Sequence, residues 1–207
     1  MKYLYYNPNQ NNSVSDSSSI LTLARSIMLL FCLGLGISIY SQEVSKDFTS
    51  SGTWTVPAGV TQITVEAWGA GGGGGDRTSN GYAGGGGGGA YSRSSIPVIP
   101  GETYSLSIGE GGTSEVDGGN TIFGSSFDPS IVVAAGGKSG KNNNASGASG
   151  GLDSESVGDI RYSGGNGAAG GNTGGLFGTY SGPGGGAAGS TGNGNNAAGQ
   201  YGGAATA

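Results

Sequence analysis

The sequence predicts a mainly β fold. Three observations carry the prediction: alternating apolar and polar residues recur between residues 47 and 136, no helical periodicity occurs after residue 42, and glycine makes up 49 of the 207 residues. Alternation with period two is the mark of a half-buried strand. Soluble proteins ordinarily carry about 7% glycine, so this chain is no average globular domain.

The strand candidates run in order along the chain. "FTSSGTWTVP", residues 48–57, places Phe48, Trp54 and Val56 at even positions. "VTQITVEAW", residues 60–68, sets Ile63, Val65 and Ala67 on one face and Thr64, Glu66 and Trp68 on the other. The short Pro-Ala-Gly turn between them predicts that these two strands pair antiparallel. "AYSRSSIPVIP", residues 90–100, predicts a strand that Pro97 confines to a sheet edge, because proline donates nothing to a ladder. "GETYSLSIGEGG", residues 101–112, turns Tyr104, Leu106 and Ile108 one way and is the clearest strand. "TIFGSSF" and "SIVVAAGG", residues 121–127 and 130–137, add a short strand and a buried one.

Residues 1–42 carry a polar leader and then "SIMLLFCLGLGISIY", an apolar run at 26–40 behind Arg25 with a small-residue exit. This pattern predicts a secretory signal cleaved after Ser41 or Gln42. The run is shorter than the roughly 20 residues that span a bilayer, so the mature chain is expected not to span a membrane and to be secreted or displayed at a cell surface. Phe31 before Cys32 argues against a lipid anchor. The ending "GGAATA" lies within glycine-rich sequence, as expected of a fragment of a longer secreted protein.

Composition also narrows function. A formal net charge of -5, with 8 lysines and arginines, is too little positive charge to neutralise a nucleic-acid backbone. The chain has no histidine and one cysteine, so the commonest general base and the usual zinc ligands are missing. No cofactor or metal is implied, and a non-enzymatic protein is expected. "GGGGGD" at 71–76 begins like a calcium-binding nonapeptide, but Thr78 stands where an apolar residue belongs and no second copy follows. "GGKSG" at 136–140 lacks the first glycine of a phosphate loop. "NAS" at Asn144 is a formal glycosylation acceptor.

The glycine fields, residues 69–90 and 136–207, admit two readings. One is a flexible linker. Ordering costs roughly 1 to 2 kcal/mol of backbone entropy per residue, and these fields hold few large apolar side chains. The other is a bundle of polyglycine-II helices, threefold extended chains that lie close enough to hydrogen-bond laterally. Glycine does not recur strictly at every third position, which excludes collagen.

"FTSSGTWTVPAGVTQITVEAWGAGGGGG", "GGGGGGAYSRSSIPVIPGETYSLSIGEGG", "GGNTIFGS" and "IVVAAGGKSG" together resemble the bacterial and phage glycine-rich domain. Their order also resembles the glycine-rich extracellular region of anaplastic lymphoma kinase and leukocyte tyrosine kinase, through Trp54, Val56, Pro57, Gly69, Ala70, Gly71 and Ile131 to Gly137. The resemblance implies a jelly-roll-like antiparallel β-sandwich packed on a polyglycine-II bundle, and the bundle half is similar to phage tail-fibre tip adhesins. The chain departs from the receptors in lacking their disulfides and kinase, and from the adhesins in its secretion signal.

Isolated aromatics in the glycine fields are the candidate binding residues: Tyr82, Phe177, Tyr180 and Tyr201. Tyrosine on a loop offers rigid amphipathic contact, and "GGLFGTYSGPGGG", residues 174–186, is the leading loop. The expected function is adhesion or recognition of a cell-surface glycan or protein. The alternatives are a structural matrix or filler protein and, against the lack of regular threonine ranks, an ice-binding protein.

Overall fold

The computed structural model describes residues 45–77, 81–124, 131–172, 178–199 and 203–206. The chain divides into two units, Met1–Lys46 and Asp47–Ala207, and every described strand belongs to the second. The leader and signal expected at residues 1–42 lie outside the described residues. Among the described residues no helix is long and apolar enough to cross a membrane.

The fold is mainly β. Nine strands are present among the described residues: β1 (Gly52–Thr55), β2 (Gln62–Trp68), β3 (Tyr91–Pro97), β4 (Thr103–Ser107), β5 (Thr121–Phe123), β6 (Val132–Ala134), β7 (Ile160–Tyr162), β8 (Gly171–Asn172) and β9 (Thr179–Tyr180). They form a four-stranded sheet in the order β1-β4-β5-β6, a three-stranded sheet in the order β2-β3-β7, and the pair β8-β9. Every pairing is antiparallel. One short 3-10 turn, Asp153–Glu155, precedes β7.

The two larger sheets share one apolar core. Ala67 and Ile96 come to it from the three-stranded sheet, and Tyr104, Leu106, Phe123, Val132 and Ala134 from the four-stranded one. Tyr104 and Phe123 stack with centroids 5.2 Å apart, and Trp54, Ile63 and Val65 pack against the cluster from its margin. The alternation in β4 is realised directly, with Tyr104 and Leu106 buried between exposed neighbours.

Two sequence expectations are corrected. β1 and β2 do not pair: β1 pairs with β4, Trp54 opposite Tyr104, and β2 pairs with β3, Trp68 opposite Tyr91. The turn at 57–60, where Gly59 takes a left-handed φ of 83°, carries the chain between sheets. The connection at 98–102 does the same beside it, the Val98 amide donating to Thr61 O at 3.0 Å and that of Gly101 to Val56 O at 2.9 Å. Nor is β3 an edge strand. It lies between β2 and β7, but β7 covers only Tyr91 to Arg93, so Pro97 sits past the end of β7, where no donor is needed. β7, β8 and β9 also fall within the glycine-rich field, where the sequence offers no strand pattern.

The remaining glycine-rich chain runs in extended segments joined side by side through backbone hydrogen bonds, and these bonds recur at every third residue. Gly69, Gly72 and Gly75 donate to Ala90, Gly87 and Gly84 at 2.9, 2.9 and 3.0 Å; Gly182, Gly185 and Ala188 donate to Ala83, Gly86 and Gly89 at 2.8, 3.0 and 3.0 Å; and Ala148 and Gly151 donate to Gly85 and Gly88, both at 2.9 Å. Each carbonyl from Ala83 to Ala90 thus serves one of three neighbouring segments in rotation. A two-residue pleat cannot produce this pattern, whereas a chain with three residues per turn offers every third group to the same neighbour.

Side chains continue the ladders where backbones stand farther apart. The amides of Gly136 and Ser139 donate to Asn120 Oδ1 and Asp117 Oδ1 at 2.9 and 2.7 Å. Those of Ser163 and Asn166 donate to Asn193 Oδ1 and Asn196 Oδ1 at 2.9 and 2.7 Å. Asparagine and aspartate here do the work of a carbonyl, one side chain farther out.

Candidate functional site

The segment that leaves β2 at Gly69 runs away from the sheets to Arg77, and the chain returns along Gly81 to Ala90 into β3. Segment 163–170 makes the same outward journey and 182–188 the same return, as their matched bonds require. Described residues flanking three of the connections therefore come together at the far end: 76–77 with 81–82, 141–146, and 170–172 with 178–182.

Side chains fasten these connections to one another. Arg77 Nη1 donates to the Thr179 carbonyl at 2.8 Å and also to Thr179 Oγ1, tying the first connection to β9. The Asp76 amide donates to Asn142 Oδ1, and the Asn143 amide to Asp76 O at 3.3 Å. Asn143 takes a left-handed φ of 49°, a conformation that asparagine tolerates better than most residues. Glu115, also left-handed at 58°, holds Asn142 with both carboxylate oxygens, from the backbone amide at 3.0 Å and from Nδ2 at 2.9 Å.

Of the four aromatic candidates, Tyr82 and Tyr180 are brought to this end, and Phe177 and Tyr201 lie outside the described residues. Tyr82 is half-buried next to Ala83, whose carbonyl accepts the Gly182 amide two residues past Tyr180. Tyr180 is half-buried too, its hydroxyl lying over Gly171: a Cβ built on that glycine would meet the oxygen at 2.7 Å. Two phenols and one guanidinium are thus placed at the same end of the glycine-rich segments.

Sequence reasoning missed Arg77 and Thr179. The signal was present, because Arg77 is the one basic residue between Lys46 and Arg93 and sits in the middle of a glycine field. Among the described residues no group of three or more potential metal-ligating side chains is found. A cleft of about 440 Å³ opens where β7 stops covering β3, lined by residues that include Ser95, Ile131 and Asp159. Asp159 is its single acid, and its Oδ2 accepts the Ser95 amide at 3.3 Å.

Fold and far end together define a class: a mainly β module in which glycine-rich chain is ordered by lateral backbone hydrogen bonds. The model of the glycine-rich domain matches residues 46–207, and the chain belongs to that family. No curated protein shows a significant match to the chain.

Proposed function

We propose that the glycine-rich segments are polyglycine-II helices set as a bundle on a jelly-roll-like sandwich, and that the chain is a secreted or cell-surface recognition module without enzymatic activity. Its far end meets a cell-surface glycan or protein. The three-residue rotation of bonds around Ala83 to Ala90 supports the helical reading. A glycine-free chain could not pack this closely, because a Cβ at Gly85, Gly87 or Gly88 would fall 1.9 to 2.0 Å from a neighbouring carbonyl oxygen.

The observation that carries the function is the tie from Arg77 to Thr179, which fixes the Tyr82 connection against the strand bearing Tyr180. A rigid scaffold with loops at one end is the usual arrangement for recognition. Preorganised loops also lose less entropy on binding. Nothing in the spacing of the carboxylates pairs an acid with a base.

The test is binding of the purified full chain to intact cells and to a glycan array. Tyr180→Ala is expected to weaken binding tenfold or more, within the range of an aromatic anchor, at an unchanged melting temperature. Arg77→Ala should weaken it through loosened loops. Unaltered binding in both variants refutes the assignment of this end. A filler protein would bind neither cells nor array.

A further inference from the structure

A second surface lies on the outer face of the three-stranded sheet. Trp68, Tyr91 and Tyr162 stand in one row across β2, β3 and β7, each opposite the next in register. Trp68 meets Tyr91 edge-on with centroids 5.2 Å apart, and Tyr91 stacks on Tyr162 at 6.1 Å. Tyr91 is fully buried, whereas Trp68 remains 47% exposed. The row therefore has a covered, fixed centre and an open tryptophan at its β2 end. The chain's other tryptophan, Trp54, packs against the core, so aromaticity alone does not place Trp68 outside.

One row along the same face, Glu66 stands opposite Arg93. Glu66 Oε1 is occupied: the Tyr91 hydroxyl donates to it at 2.6 Å, and Arg93 Nε lies 3.9 Å away. Among the described residues, Glu66 Oε2 and the Arg93 terminal nitrogens have no partner, and the two side chains are 40% and 45% exposed. A free acceptor and free donors thus flank an exposed indole.

We propose that this face binds a neutral sugar ring of a polysaccharide. A pyranose carries axial C–H groups that stack on an indole face, and hydroxyls around its rim that both donate and accept. Trp68 supplies the first need; Glu66 Oε2 and the Arg93 nitrogens supply the second. Charge selects neutrality, because Glu66 repels an acidic ligand and Arg93 a basic one, while the pair itself balances. The tyrosine beneath holds both the indole and the carboxylate in place, so little order need be gained on binding. The site stands apart from the loop end and does not depend on it.

The experiment is calorimetric titration of the full chain with glucose hexamers of β-1,4, β-1,3 and α-1,4 linkage, with a sulfated oligosaccharide as the acidic probe. The expected result is saturable binding of at least one neutral hexamer. Trp68→Ala should weaken it at least tenfold and Arg93→Met several-fold, while Tyr180→Ala leaves it unchanged. Trp68→Phe, which keeps the packing on Tyr91, should weaken it severalfold and serves if Trp68→Ala fails to fold. Absence of binding to every neutral hexamer overturns the proposal. So does binding as tight as the parent chain's in both Trp68→Phe and Arg93→Met, a preference for the sulfated probe, or concentration-dependent dimerisation in sedimentation that Trp68→Phe abolishes. Loss of cell binding in Tyr180→Ala with sugar binding intact would separate the two surfaces.

Discussion

Gly87 faces the Ser149 carbonyl so closely that a Cβ built on the glycine would lie 1.9 Å from that oxygen. Earlier in the same pair of runs, a Cβ on Gly74 would find its nearest neighbour, Gly84 O, at 3.9 Å. Gly87→Ala must push two backbones apart and is expected to destabilise by at least about 1 to 3 kcal/mol, the usual cost of overpacking. Gly74→Ala should be neutral or stabilise by up to about 1 kcal/mol, because alanine restricts the unfolded chain. Denaturant unfolding of the two variants measures the contrast, and equal effects would contradict the close packing.

Hydrogen exchange should follow the same architecture. The amides of Gly85, Gly88, Ala148 and Gly151, all bonded between segments at 2.9 Å, are expected to exchange only through cooperative opening. A freely fluctuating chain would exchange them at the rate of an unstructured peptide.

Asp117 gives an acid-side signature. The Ser139 amide, donating to Oδ1 at 2.7 Å, holds this carboxyl below its ordinary value, against some desolvation and with help from the Ser139 side chain, Lys138 and Lys141. A depressed folded value means stability that is present above the unfolded pKa near 4. It is lost as pH falls through the folded value. Asp117→Asn keeps an acceptor for Ser139 and is expected to flatten the decline in melting temperature below about pH 4.

Tyr91 gives the alkaline counterpart. Burial first, then its hydrogen bond to Glu66, pushes the phenol well above the usual tyrosine range. A raised folded value means stability retained below the unfolded pKa near 10 and lost as pH rises beyond it. In Tyr91→Phe the loss above pH about 10 should be smaller. Tyrosinate absorbance at rising pH should show one late-ionising ring fewer.

At the far end, Gly171→Ala is a positional test. Its Cβ would meet the Tyr180 hydroxyl oxygen at 2.7 Å, so the ring must turn outward while the backbone can stay. Cell binding is expected to change with little loss of melting temperature, and binding equal to the parent chain would show that the pose of Tyr180 does not matter.

The strands that sequence made legible were those whose side chains carry the information. β2 and β4 alternate because one face meets the core, and Tyr104 and Leu106 announced that face before any partner was known. The β1–β2 pairing was misread because a short turn looks alike whether it closes a hairpin or crosses between sheets. β7, with the sequence Ile-Arg-Tyr, is too short for alternation to register. Glycine segments hide their partners altogether, since a residue without a side chain shows no face. Their margins do not hide: Ser163 and Asn166, and Asn193 and Asn196, keep the spacing of three that their ladders use. Tyr82 and Tyr180 stood out as aromatics in bland surroundings, whereas Arg77 drew attention only once Thr179 was seen beneath it.

Bonds that come round every third residue also set a rule for change. One or two residues inserted within a segment such as 81–90 would rotate all later amides onto the wrong neighbour, whereas three would restore the match at the next turn. In the proposed polyglycine-II geometry, with a rise of about 3.1 Å per residue, lengthening in triplets would carry the loops outward in steps of about 9 Å, provided that adjoining segments grew together. Relatives are then expected to differ in reach by discrete increments, with the β layers left as they are.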